Sequence, residues 1–470
     1  MSHATTFSPN IYEARRTALL ARMANSGLIL LPGNQDASMN YLHNIYPFRQ
    51  DSSFAYYFGL HMPDLVGVLD TDNGTCTLYG DDPSLESIVW TGPLPTLAER
   101  GQTVGITQTA SLASLPEELK AAQNAGRRIH YLPPYRGKSA LQLATLLNLA
   151  VTEIARGESV DLIRAIVAQR EVKSEEEIAE MTWALGITKQ MHETAMRETR
   201  PGQYEYQIVG AMEGLMRRHG LQLAYPSIFS KQGEVLHNGS HHNQLQAGDW
   251  VVNDTGCSSR LGYASDITRT LPVSGQFTDR QRTLYQITLD SQLAAIAAMK
   301  PGVTNLSVHQ LAVSKLVDGL KALGIFTGDT EETVLSGAYA IIFQCGLGHQ
   351  IGMDVHDMEN LGEAYVGYDE ATTRSTLFGM RNLRMGKAYR QGMVMTVEPG
   401  LYFIPAQIDQ WQAEKRHAHL INYEVLNQYR DAGGVRIEDE VLITENSCEV
   451  IGEPIPKSIA EVEALMGTAA

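Results

Sequence analysis

The sequence predicts a two-domain protein in which both halves mix helices and strands. Its 470 residues allow two or three domains at the usual size of roughly 150 residues each. Hydrophobic residues make up 43% of the chain and charged residues 19%, as in ordinary globular domains. A polar, glycine-containing stretch between about residues 150 and 165 precedes a long helical pattern, so we place a domain boundary at residue 160.

The first region, residues 1–160, has the pattern of a small α/β domain. The stretch ARRTALLARMANSG has helical periodicity and ends at Gly27. Two β-rich runs then flank Asn73-Gly74 in DLVGVLDTDNGTCTLYG. Because Asn-Gly tolerates the positive φ angles of a type I′ turn, this pair predicts a β-hairpin.

The second region, residues 161–470, alternates helical and strand patterns. Helices are predicted at 205–220, 279–299 and 307–324, and strands at 249–254, 263–273, 393–404 and 435–444. Pro201-Gly202 and Pro301-Gly302 each end one helical stretch before the next begins. Their equivalence suggests an internal duplication.

The charge balance disfavours several classes of partner. Lys and Arg number 37 against 53 Asp and Glu, and this net charge of -16 repels phosphate backbones and anionic lipids. We therefore expect no nucleic acid and no membrane partner, and no stretch reaches the roughly 18 apolar residues of a spanning helix. The sequence has no signal-peptide pattern and no CxxC among its four cysteines, so we expect a cytoplasmic protein with reduced thiols.

Four acidic residues interrupt the apolar strand patterns of the second region. They are Asp254 in DWVVNDTG, Asp266 in GYASDITRT, Glu398 in VMTVEPGLYF and Glu438 in GGVRIEDEVLI. Each alone could be a structural acid in an ion-pair network. Burying an ionised carboxylate costs several kcal/mol unless a cation neutralises it, so four such acids together with His349 favour a divalent-metal site. Oxygen-rich ligands suit Mn²⁺, Co²⁺ or Mg²⁺ better than they suit zinc in a tetrahedral site.

Two histidines stand seven residues apart in the stretch CGLGHQIGMDVHD, at 345–357. Glycines and one aspartate separate His349 from His356. On this spacing alone, a metal site and a pair of hydrogen-bonded core histidines both remain open.

The ordered motifs DTG, SDITRT, GLGH with DVHD, TVEPGLY and GVRIEDEV resemble those of the pita-bread metallopeptidases, the family of aminopeptidase P, prolidase and methionine aminopeptidase. The N-terminal stretch YPFRQDSSFAYYFGL is similar to the leading domain of aminopeptidase P and prolidase. The resemblance implies an α+β protein, with a creatinase-type α/β domain at 1–160 and a pita-bread catalytic domain at 161–470. It also implies a homodimer.

The same resemblance implies a dinuclear metal centre. The implied ligands are Asp254, Asp266, His349, Glu398 and Glu438, with Asp266 and Glu438 bridging both ions. We expect two divalent ions, Mn²⁺ first, with Co²⁺ or Zn²⁺ as alternatives. Glu398 is the implied proton shuttle from a water held between the ions to the leaving nitrogen.

Four further residues are implied at the substrate. His237 and His356 would contact the scissile peptide as catalytic hydrogen-bond donors. Arg384 would bind the free carboxylate of a dipeptide through two parallel hydrogen bonds, which selects substrates of two residues. Arg436, also expected near the substrate, would orient a ligand carboxylate.

The leading prediction is a prolidase, which hydrolyses Xaa-Pro dipeptides. The stretches GMRNLRMGKAYRQGMVMT and IPAQIDQWQAEKRHAHLINYEVLNQYRDAGG resemble prolidase more than aminopeptidase P. The first alternative is aminopeptidase P, which releases the N-terminal residue from longer Xaa-Pro peptides. A creatinase-like amidinohydrolase and an inactive pita-bread binding protein are disfavoured, because those branches lack metal ligands that this sequence has.

Two features depart from the family pattern. Cys345 stands four residues before His349, where aminopeptidase P and prolidase usually have a histidine, and a thiol is a much weaker donor than an imidazole. Asp266 follows Asp254 by 12 residues, one more than usual. We expect a longer turn to absorb the extra residue, because a slip in strand register would turn Asp266 to the other face.

Overall fold

The computed structural model of the protein describes residues 6–467. The chain forms two compact units. The first runs to Arg170 and includes Met358–Val366, and the second comprises Glu171–Asp357 and the residues from Gly367 onward. The domain boundary at residue 160 stays a prediction. None of the helices at residues 6–467 is long and apolar enough to cross a membrane.

The first unit is built around one five-stranded sheet. Its strands are β1 Leu28–Pro32, β2 Val66–Asp70, β3 Thr75–Tyr79, β4 Gln108–Ala110 and β5 Ile129–His130, in the order β4-β3-β2-β1-β5. Its helices are α1 Pro9–Arg22, α2 Ser52–Phe58, α3 Leu85–Thr91, α4 Leu97–Thr103, α5 Leu115–Asn124, α6 Gly137–Leu147, α7 Val151–Ile154 and α8 Val160–Arg170, with α14 Glu363–Val366 from the later segment. Buried leucines and valines of the sheet pack against the helices.

Two local predictions for this unit need correction. The hairpin β2–β3 is present, but its turn spans the four residues 71–74 and is therefore not a two-residue type I′ turn. Of the Asn-Gly pair, only Gly74 adopts a positive φ, at 69°. Helix α1 begins at Pro9 and ends at Arg22, earlier than the periodicity predicted, because proline fits the first turn of a helix.

The second unit contains the longer helices and most of the short strands. Its helices are α9 Glu175–Glu198, α10 Glu205–Arg218, α11 Asp279–Ala298, α12 Asn305–Ala322, α13 Thr330–Leu335, α15 Pro405–Ala413, α16 Tyr423–Leu426 and α17 Ile459–Gly467. Its strands are β6 Gln222–Leu223, β7 Ile228–Ser230, β8 Trp250–Thr255, β9 Cys257–Ser258, β10 Ile267–Pro272, β11 Val394–Val397, β12 Gly400–Tyr402, β13 Gly434–Arg436, β14 Asp439–Ile443 and β15 Cys448–Val450. The three predicted helices are confirmed to within a few residues.

Each Pro-Gly pair lies in the turn of a helix hairpin. Gly202 connects α9 to α10 and Gly302 connects α11 to α12, at φ 92° and 84°. Helix α11 begins with a capping box, in which Thr278 and Gln281 each bond the other's backbone N–H. Two similar helix pairs therefore occur in one unit, as the sequence suggested.

The predicted strands 393–404 and 435–444 are each broken in two. The pairs β11–β14 and β12–β13 keep the same antiparallel register, and regular pairing is interrupted at the residues between them, 398–399 and 437–438, where Ile437 N still donates to Pro399 O at 3.4 Å. Pro399 has no N–H to donate, and the N–H of Glu438 donates to Thr268 O at 3.0 Å instead. The expectation that the acidic residues lie on strands therefore holds for Asp254 alone.

Candidate active site

Strand pairing brings the two aspartates together. Asp254 on β8 pairs with Thr268 of β10, and Asp266 directly precedes β10. A turn joins the two segments, with Ser259 N donating to Tyr263 O at 2.7 Å. The Tyr225 hydroxyl lies 2.6 Å from Asp254 Oδ1 and also contacts Asp266 Oδ1. The two carboxylates thus face the same point, as the longer-turn expectation requires.

Glu398 and Glu438 come from the break in the β11–β14 and β12–β13 ladder. Thr268 Oγ1 donates to Glu438 Oε2 at 2.7 Å, and Thr396 Oγ1 lies 3.3 Å from Glu398 Oε1. The other oxygen of Glu438, Oε1, is buried and has no hydrogen-bond partner. A buried carboxylate oxygen without a donor needs a cation or a proton.

His349 presents one ring nitrogen to these carboxylates. Its Nδ1 lies 3.0 Å from Gln350 O and donates to it, which leaves Nε2 as the free ring atom. Nε2 lies 3.4 Å from Asp266 Oδ2 and 3.5 Å from Glu398 Oε1. The His356 ring stacks on His349 at a centroid distance of 3.8 Å and an angle of 12°. Both histidines are therefore parts of one site.

Arg436 is held by three protein acceptors. Its Nη2 donates to Asp254 Oδ2, its Nη1 to the Tyr402 hydroxyl at 2.9 Å, and its Nε to Thr268 Oγ1 at 3.1 Å. These contacts fit the expectation that Arg436 orients a ligand carboxylate. They leave little of the guanidinium for a direct bond to substrate.

The acidic cluster has more carboxylates than cationic partners. Burial and then the other carboxylates raise the pKa of Glu438 well above its usual value, and burial raises the pKa of Glu398 to about 7. Burial opposes the charge of His349, but Asp266 and Glu398 raise its pKa to about 9. Without a metal, the cluster therefore keeps protons that a bound cation would displace.

The donor set fits a divalent cation. Asp266, His349 and Glu438 each present a ligand atom within 4.8 Å of the others. The unpartnered Oε1 of Glu438 lies in this group, and carboxylate and imidazole donors suit divalent ions such as Mn²⁺. Asp254 and Glu398 border the group through the Tyr225 and His349 contacts.

One cavity of about 660 Å³ is lined by all nine site residues predicted from the sequence. The five predicted metal ligands share this cavity with His237, His356, Arg384 and Arg436. His237 is exposed at its surface, and Arg384 is half-buried. The lining also includes the apolar residues Ile228, Leu236 and Val355.

Cys345 lines the same cavity. Burial, and then the nearby Glu398 carboxylate, raise the pKa of its thiol to about 12. The residue therefore stays neutral and contributes a weak donor where the family usually has an imidazole.

Several polar residues at the site were not identified from the sequence. They are Tyr225, Thr268, Thr396, Tyr402, Gln344 and Asn382. Thr268 and Tyr402 lie inside the motifs quoted above, so their closeness in sequence to a predicted ligand was a usable signal. Tyr225 is 29 residues from Asp254, and only the β7–β8 pairing brings the segment that follows it beside that strand.

Residues 179–445 match the model of metallopeptidase family M24, and residues 12–130 match the N-terminal domain of aminopeptidase P. The chain belongs to metallopeptidase family M24. Among its M24 relatives, the Xaa-Pro aminopeptidase of Escherichia coli (strain K12) is 31% identical over 473 residues, 97% of each chain. The Xaa-Pro dipeptidase of Homo sapiens is 29% identical over 449 residues, 93% of this chain and 88% of the relative.

A solved structure of zinc-substituted E. coli aminopeptidase P in complex with product is similar along almost the whole chain. The TM-score is 0.82 at 29% identity, and the match covers 99% of each chain. The predicted family, the α+β pita-bread fold and the metallopeptidase class are thus confirmed.

Proposed function

We propose that this M24 peptidase hydrolyses the bond before proline in Xaa-Pro dipeptides, using two divalent ions. The named relatives include both an Xaa-Pro dipeptidase and an Xaa-Pro aminopeptidase. The observation that carries the dipeptidase choice is that Arg384 lines the same cavity as the acidic cluster. A planar guanidinium there suits a free C-terminal carboxylate one residue from the scissile bond.

In this proposal five side chains hold the ions. They would be Asp254, Asp266, His349, Glu398 and Glu438. When bound, the divalent ions lower the pKa of a water and polarise the scissile carbonyl. Mn²⁺ is the proposed ion, because four of the five ligands offer hard oxygen atoms.

The remaining steps fall to the side chains. Glu398 carries a proton to the leaving proline nitrogen, which must be protonated to depart. His237 and His356 donate hydrogen bonds to the substrate as charge develops on the carbonyl oxygen. Arg436 keeps Asp254 in position through the contact described above.

The second candidate is an aminopeptidase P, which would accept a chain beyond the proline. The cavity of about 660 Å³ has room for more than two residues, and relatives with that name match the chain over nearly its full length. In that case Arg384 would not grip a terminal carboxylate.

The deciding test compares Gly-Pro or Ala-Pro with Ala-Pro-Ala in the presence of Mn²⁺. We expect cleavage of the dipeptides and little cleavage of the tripeptide. Arg384→Met should raise KM for the dipeptide by about 10-fold to 100-fold, as loss of a charged hydrogen-bonded contact of about 1.5–3 kcal/mol predicts. Arg381→Met, three residues earlier on the 3₁₀ helix Met380–Asn382 and outside the cavity lining, is the control. Preference for the tripeptide would select the aminopeptidase.

The proposal also includes a homodimer, which rests on the resemblance to prolidase, and a cytoplasmic location, which rests on the absence of a signal-peptide pattern in the sequence. Sedimentation of the purified protein tests the dimer. Metal analysis after purification tests Mn²⁺ against Co²⁺ and Zn²⁺.

A further inference from the structure

A fully buried ion pair lies close to the site without lining the cavity. Lys173 Nζ is 3.0 Å from Asp357 Oδ2, and the two side chains are 1% and 2% exposed. The cost of removing both charges from water offsets most of their attraction, so stability alone explains such a pair poorly. The contacts of Asp357 connect the ion pair to the candidate active site.

The backbone of Asp357 shares an acceptor with His349. Asp357 N donates to Gln350 O at 2.9 Å, and His349 Nδ1 donates to the same carbonyl at 3.0 Å. Asp357 also follows His356, whose ring covers one face of His349. The ion pair is therefore linked to the His349 ring at its edge and at its face.

The loop between the two histidines is shaped to admit the pair. A Cβ atom at Gly352 would lie 2.5 Å from Asp357 Oδ2 and 2.9 Å from Lys173 Cε. Gly352 is not among the glycines at positive φ, so alanine would fit the backbone and would displace only the ion pair. The backbone N–H of Lys173 also donates to Gly392 O at 2.8 Å, in the turn before β11.

We infer that the Lys173–Asp357 pair is a positioning device for His349. It fixes the 350–357 loop so that Gln350 O accepts the Nδ1 proton and Nε2 points at Asp266 and Glu398. The inference rests on the proposed function in one respect, that His349 is a metal ligand. Partners that orient a ligating histidine commonly change metal affinity or activity by about 10-fold to 100-fold when removed.

The test compares two isosteric acid-to-amide substitutions in the same unit. Asp357→Asn weakens the Lys173–Asp357 ion pair. Glu171→Gln is the matched control, because Glu171 is equally buried, pairs with Lys387 at 2.6 Å and Arg390 at 2.7 Å, and lies outside the cavity. We expect D357N to weaken Mn²⁺ binding, measured by calorimetry, and to lower kcat by about 10-fold or more with little change in KM. E171Q should lower Tm and leave Mn²⁺ affinity within about twofold.

Equal Mn²⁺ affinities in D357N and E171Q would overturn the inference. If D357N does not fold, Gly352→Ala and Lys173→Arg replace it: G352A should weaken Mn²⁺ binding, and K173R, which keeps the charge, should retain most of it. Wild-type affinity in G352A would likewise overturn it. A wild-type protein that binds Mn²⁺ but cleaves neither peptide would refute the proposed function alone, and the comparison of affinities would still decide this inference.

Discussion

Glu438 and Asp439 are neighbours in the chain, are equally buried, and have opposite electrostatic surroundings. Glu438 faces the cavity with one unpartnered oxygen, and its pKa is raised by burial and nearby carboxylates. Burial also acts to raise the pKa of Asp439, but Arg269 at 2.7 Å and Lys457 at 2.5 Å outweigh it and lower that pKa. Asp439 is paired with two cations of the protein, whereas the nearby Arg436 does not outweigh burial and the neighbouring carboxylates at Glu438. A buried acid that the protein's own cations do not neutralise marks the place where an external ion is expected.

The largest expected effect comes from removing the unsatisfied acid. Glu438→Gln should reduce peptidase activity by about 1000-fold, which corresponds to losing about 4 kcal/mol of stabilisation at a metal centre. The unfolding free energy of the metal-free protein should not fall, because burial and the neighbouring carboxylates disfavour the charged form of Glu438 and a neutral amide avoids that cost. Activity assays with Mn²⁺ and urea unfolding in EDTA measure the two quantities. A stability loss without an activity loss would contradict the contrast with Asp439.

The satisfied acid should behave in the opposite way. Asp439→Asn leaves the fully buried Arg269 with a neutral partner, so the unfolding free energy should fall by about 3–5 kcal/mol. Urea unfolding in EDTA isolates this effect from metal binding. A loss below about 1 kcal/mol, the usual value for an exposed ion pair, would show that Asp439 is not satisfied by its cations.

A buried base outside the cluster sharpens the comparison. His309 is buried beside Tyr339 and Phe343, and burial lowers its pKa to about 4. The unfolded chain, with a histidine pKa near 6.5, binds the proton first, so stability falls as the pH drops from about 6.5 towards 4. Between pH 7 and pH 5 this histidine alone should cost about 2 kcal/mol.

His309→Phe isolates that contribution, since the aromatic surroundings accept a ring. Urea unfolding at pH 7 and pH 5 should show a smaller pH dependence in H309F than in the wild type, by about 2 kcal/mol. Identical pH dependence in both proteins would mean that burial does not keep His309 neutral.

The smallest effect is expected at Cys345. Its thiol stays neutral near pH 7 and is a weak donor, so Cys345→Ala should change kcat/KM by less than about threefold. Steady-state kinetics on the preferred peptide measures this. A loss of tenfold or more would show that the thiol has taken over work done elsewhere in the family by histidine.

The sequence was sufficient to predict the family, the fold class and the residues that converge on the cavity. Each acidic residue was visible because it interrupted an apolar strand pattern, and His349 because of its glycine-rich context. The strand patterns in the sequence did not show where two of the predicted strands are interrupted. Periodicity cannot show that residues 398–399 and 437–438 leave the ladder, because the break depends on where a neighbouring strand supplies the carbonyl for Glu438 N–H.

Contacts between distant segments were also beyond the sequence. Tyr225 reaches both aspartates, and Lys173 reaches Asp357 across 184 positions, yet neither has a local pattern that names its partner. The Asn73-Gly74 pair shows the converse limit. It predicted a hairpin correctly, but the width of the turn was set by the pairing of Asp70 with Thr75.

The broken ladder also separates Glu398 and Glu438, the proposed metal ligands, from the tip of their hairpin. Strands β12 and β13 pair on the far side of the break and enclose everything from residue 403 to 433, including α15 and α16. The register of Gly400 against Arg436 is fixed by three paired residues on each strand, whatever the length of the enclosed segment. A change in the length of residues 403–433 would therefore leave the register of Glu398 against Glu438 in place as long as β12 and β13 stay paired.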